Sequence, residues 1–79
     1  MTFKLDGVDY ILAPSPAPAS LSGMQLELWK ILHVIAECLP ECSKNLKSEV
    51  LMALLELKYP GSFWFRFTNL CEKGAIAFG

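Results

Sequence analysis

Three features predict a mainly α domain that opens with an N-terminal β-hairpin and continues into a helical hairpin and a short C-terminal helix. An Asp-Gly pair at residues 6–7 sits between alternating apolar residues. An apolar run of helical period spans Met24 to Leu39. A Tyr-Pro-Gly break at residues 59–61 sets off a final aromatic segment. A chain of 79 residues makes one small domain, divided into a hairpin at 2–12, a Pro-rich connector at 13–21 and a helical part at 22–79.

Asp-Gly is favoured where both residues of a two-residue hairpin turn need positive φ. That turn sets the register. Leu5 faces Val8 and Phe3 faces Tyr10 on one side of the ribbon, while Lys4 faces Asp9 on the other and pairs with it across the strands. A lone hairpin is marginal in water, so its apolar face must pack on the helices or on a sheet elsewhere. Both of its edges are expected to remain open for pairing with another strand.

Pro14, Pro16 and Pro18 on alternate residues block helix and favour an extended spacer. Ser22 followed by Gln25 fits a capping box, with Leu21 and Leu26 placed as a hydrophobic staple, and Pro40 ends the helix that begins there. Along Met24 to Leu39 the polar residues Glu27, Lys30, His33 and Glu37 form one narrow stripe, and nearly all the remaining girth is apolar. One partner helix cannot cover so wide a surface.

A second helix is expected to begin after Ser43 or Asn45 and run to about Lys58, with Leu46, Val50, Ala53, Leu54 and Leu57 on one face and Leu51 and Leu55 widening it. After Pro60-Gly61, Ser62 is placed to cap a third helix from about Phe63 to Lys73, which Gly74 closes. Phe63, Trp64, Phe65 and Phe67 also fit the alternation of a strand; the flanking Ser62 and Gly74 favour helix.

Hydrophobic residues make up 53% of the chain and charged residues 19%, against about 45–50% and about 25% in ordinary soluble domains. A domain this small hides only about 60% of the surface its unfolded chain exposes. The apolar surplus therefore predicts contacts between chains, and a homo-oligomer. Seven basic and eight acidic residues are scattered, with only Lys44 and Lys47 close together and Glu41 and Glu49 beside them. No nucleic-acid partner is expected from that distribution. No membrane span is expected either, because the longest apolar run is 16 residues and is interrupted by charges. The N-terminus has no basic segment leading into an apolar run, so the chain reads as soluble and cytoplasmic.

The inventory for chemistry is poor, and neither catalysis nor a cofactor or metal is expected. His33 is the single imidazole, with Glu37 one turn away as an ordinary helix-surface pair. Cys38, Cys42 and Cys71 are odd in number and read as reduced thiols. A zinc site built on His33 with Cys38 or Cys42 would lack ligands. Cys71 has Glu72 beside it, which raises rather than lowers a thiol pKa.

The functional signal lies in the aromatic run Phe63, Trp64, Phe65 and Phe67 with Arg66 inside it, joined by Trp29 on the first long helix. Aromatic and Arg side chains dominate the energetic centres of protein interfaces. These six residues are the candidate partner-binding set. The partner is a protein.

Two stretches carry a family resemblance. Phe3-Lys4-Leu5-Asp6-Gly7-Val8-Asp9-Tyr10, followed by Pro14, and Glu49-Val50-Leu51-Met52-Ala53-Leu54-Leu55-Glu56-Leu57-Lys58-Tyr59-Pro60 resemble segments of the small tail assembly chaperones of long-tailed bacteriophages. Together they cover roughly a quarter of the chain. The resemblance implies a non-enzymatic chaperone or scaffold in the cytoplasm of an infected bacterium, covering apolar surface of a tail component until assembly. The alternative is a small phage-encoded inhibitor that blocks a host enzyme or defence complex through the aromatic segment.

Overall fold

A computed structural model describes residues 1–14, 20–21 and 23–79. The hairpin pairs strand β1 (Thr2–Leu5) with β2 (Val8–Leu12) in the register Phe3–Tyr10, Lys4–Asp9 and Leu5–Val8. Asp6 at φ 49° and Gly7 at φ 83° supply the two positive values that a type I′ turn requires. Lys4 and Asp9 lie 3.8 Å apart on the exposed face, where such a pair contributes little.

The mainly α expectation is corrected here. A third strand, β3 (Ile76–Phe78), pairs antiparallel with β2, so a three-stranded sheet ordered β1-β2-β3 packs against helices. β2 is therefore the central strand. The far side of β1 is also engaged, since Leu46 donates to the Lys4 carbonyl and accepts from the Asp6 amide, each at 2.9 Å. The open-edged ribbon expected from the sequence is thus flanked on both sides.

The helices differ in number and pairing from the expected helical hairpin. α1 (Gly23–Cys38) stops before Leu39, and Pro40 then begins a separate single turn, α2 (Pro40–Ser43). Proline suits that first position because its missing N–H has no helical partner there. α3 is short (Ser48–Leu54), and α4 runs Pro60–Glu72, so the aromatic run is helical. α1 packs on α4 and α2, and α3 packs on α4. The helix expected to reach Lys58 stops early because Glu56 adopts φ 57° and the Leu57 amide turns back to the Met52 carbonyl at 2.9 Å. That is a Schellman closure, with Glu56 where glycine is usual. The Ser22 capping box and most of the Pro-rich connector fall outside the described residues.

Gly74, at φ 77°, closes α4 in the same way: its amide donates to the Cys71 carbonyl and the next amide, of Ala75, donates to the Leu70 carbonyl. The chain reverses there and runs into β3. A three-residue strand directly after a helix has too few alternations to announce itself in sequence.

The core lies between the sheet's inner face, with Phe3, Leu5, Tyr10, Leu12 and Ile76, and the helices, with Leu28, Leu32, Leu51, Phe63, Phe67 and Leu70. Phe3 stacks on Tyr10 at 5.4 Å, and Tyr10 meets the edge of Phe67 at 5.0 Å. These arrangements add to simple area burial. Much of the apolar surplus ends here, which weakens composition alone as an argument for contacts between chains.

The polar stripe of α1 is also corrected. Glu27, Lys30 and Glu37 are exposed, but His33 is buried and Val34 takes its place in solvent. The His33 ring packs against Trp29 one turn earlier, at a centroid distance of 4.6 Å, so the two go inward together.

Candidate functional site

Helical period sorts the aromatic run. Phe63, Phe67 and Leu70 stand at i, i+4 and i+7 and point into the core. Trp64 is half-buried and lies edge-on to Phe63 and Phe67 at 4.9 and 5.4 Å. Phe65 projects outward and is 70% exposed. Of the six partner-binding candidates, Phe63 and Phe67 are thus core residues, because the same helix that presents Phe65 must bury its other face, and Trp29 is buried on α1. Trp64 and Arg66 are half-buried, and Phe65 is the one side chain of the set offered to solvent.

Arg66 is held in place by its own helix: Nη1 donates to the Ser62 carbonyl at 3.0 Å. Beside it a cleft of about 450 Å³ is lined by Met24, Gln25, Gly61, Ser62, Phe65 and Arg66. Met24 and Gln25 belong to the first turn of α1, and Gly61 and Ser62 to the first turn of α4. Neither turn carries an acidic residue. Helix N-termini carry partial positive charge, and the Arg66 guanidinium adds a full one. The cleft therefore gathers positive charge beside the aromatic wall of Phe65. Met24, Gln25, Gly61 and Ser62 were not among the sequence candidates. The signal available was their position in first turns, which only the packing of α1 on α4 brings together.

A second, apolar groove of about 300 Å³ runs between α1 and α3, lined by Ile31, Val34, Ile35 and Leu54, with Lys30 at its rim. It exists because these two helices do not pack closely. Val34 is 55% and Leu54 58% exposed. A third recess of about 270 Å³ is walled by Tyr10, Trp64, Phe67, Thr68, Cys71 and Phe78. Burial, then the neighbouring Glu72 carboxylate, raises the Cys71 thiol pKa, and that disfavours the thiolate a nucleophile needs. Burial likewise raises the Tyr10 phenol.

His33 is buried on α1. Its Nδ1 is 3.5 Å from Glu37 Oε1, while its Nε2 and the Trp29 Nε1 are buried with no hydrogen-bond partner among the described residues. Cys38 and Cys42 are both exposed at the end of α1 and in α2. Among the described residues no three of His, Cys, Asp and Glu come together as a metal-binding group, and no helix is long and apolar enough to cross a membrane.

One polar contact ties the hairpin to the helices. The Asp6 carboxylate accepts from the Ser48 amide at 2.9 Å and from the Ser48 hydroxyl at 2.7 Å. Lys47, at the N-cap position of α3, makes no side-chain cap, so Asp6 caps the helix from the turn of the hairpin. Those two bonds hold the Asp6 carboxyl below its ordinary pKa.

No family model, no curated protein and no solved structure matches the chain.

Proposed function

We propose that this chain is a non-enzymatic protein-binding protein, an assembly chaperone or scaffold of a bacteriophage tail that works in the host cytoplasm by covering an apolar segment of its client. The observation that carries the reading is the exposed Phe65 beside the electropositive cleft of Arg66, Gln25 and Ser62. An aromatic anchor next to a fixed guanidinium is the side-chain pairing that concentrates binding energy at interfaces. The two segments at residues 3–10 and 49–60 that resemble tail assembly chaperones give the client class. The client feature recognised is an apolar side chain flanked by a carboxylate, which fits the first turns of α1 and α4.

Capture from phage-infected lysate on immobilised wild-type chain, Phe65→Ala and Arg66→Glu tests this. Wild type retains a tail component, and each variant retains it at least tenfold less, in keeping with the loss of an interface hot spot. Phe65 is exposed, so its truncation leaves the fold intact, and circular dichroism verifies that. Equal recovery on all three matrices overturns the proposal.

A further inference from the structure

The groove between α1 and α3 borders an exposed face of α1 on which Glu27, Lys30 and Glu37 surround an apolar residue. Val34 is that residue. Lys30 precedes it by four residues and Glu37 follows by three, and both are exposed. At 100° per residue the two fall on the same flank of Val34, about 6 Å before it and about 4.5 Å after it along the axis. The opposite flank carries Ile31 and Cys38, and beyond them lies the groove with Ile35 and Leu54.

We infer that two copies pair through antiparallel α1 helices about a two-fold axis at Val34. Such an axis reverses direction along the helix and keeps each flank on its own side. Lys30 of one copy then lies against Glu37 of the other, twice over, on the polar flank. On the apolar flank each Ile31 meets the other copy's Cys38, and the two Leu54 side chains close over the join. A parallel two-fold axis would instead exchange the flanks, setting Lys30 against Ile31 and Glu37 against Cys38 of the other copy and leaving both charges unpaired, so the charge order selects the antiparallel arrangement. Among the described residues the only charged or ionisable group that Glu37 approaches is the His33 ring, and Lys30 forms no ion pair. The two-fold contact gives both charges a partner.

Sedimentation velocity on the full chain across micromolar concentrations is expected to show a dimer. Val34→Asp yields a monomer with an unchanged circular dichroism spectrum. Lys30→Glu and Glu37→Lys each weaken the dimer about tenfold at low salt, and the double charge swap restores it. In a chain also carrying Cys38→Ser and Cys42→Ser, Val34→Cys cross-links the two copies under mild oxidation, which reports the axis independently of affinity. A wild-type monomer throughout, a dimer that survives Val34→Asp, or charge variants that do not rescue each other overturns the inference.

Discussion

Asp6 shows how one side chain serves two elements. Its backbone takes the left-handed conformation of the hairpin turn, while its carboxylate caps α3 from a distant part of the chain. Because its folded-state pKa is lowered, its contribution is present above the unfolded value, near pH 4, and is lost as pH falls through the folded value. Asp6→Asn keeps the turn and the size but not the charge. It is expected to destabilise by about 0.5–1 kcal/mol at pH 7, a figure kept small because the site is exposed. The difference from wild type shrinks to nothing in thermal melts taken well below pH 4. A gap that stays constant with pH would mean that the charge plays no part.

At the scale of elements, α3 and α4 end in the same closure, but with different residues at the left-handed position. Gly74 suits it, and the space around its Cα is open, so Gly74→Ala meets only the conformational penalty. About 1 kcal/mol of stability is lost, and the melting temperature falls by about 4–8 °C. Glu56→Gly, at the end of α3, is expected to move it upward by a similar or smaller amount, since the glutamate now bears that penalty. Differential scanning calorimetry on the pair checks both signs. Elements were unevenly legible in the sequence. The hairpin and the Pro40 stop were written in local chemistry: Asp-Gly and a proline. The start of α4 was less so: Ser62 reads as a cap, yet the helix opens at Pro60 behind Tyr59, before the expected Phe63, and Ser62 lies inside its first turn without capping it. The early end of α3 was hidden because a glutamate stands where glycine would have marked it. Of the candidate site, Phe65 and Arg66 were legible as an aromatic and arginine run, but which aromatics face outward depended on where α4 meets Tyr10 and Phe3. His33 and Val34 exchanged places for the same reason: one residue along a helix turns a side chain by about 100°, and tertiary contact chooses between them.

For the whole molecule, the sheet joins distant parts of the sequence. β2 is paired on both sides and its alternate residues Tyr10 and Leu12 lie in the core, so its amides are expected to exchange only through global opening. Native-state hydrogen exchange is predicted to show Tyr10, Ile11 and Leu12 as the most protected strand amides, all sensing denaturant with the global slope. Faster exchange at Ile11 than at Tyr10 would mean that β3 detaches on its own. The central position of β2 also bears on synthesis. On a ribosome adding about 5–20 residues per second, β2 emerges early, and the strand that flanks it at Leu12 emerges only when Ile76 does. For several seconds the nascent chain therefore carries a hairpin with one side of β2 unpaired. A stall before residue 76 leaves that side available to other nascent chains on the same messenger.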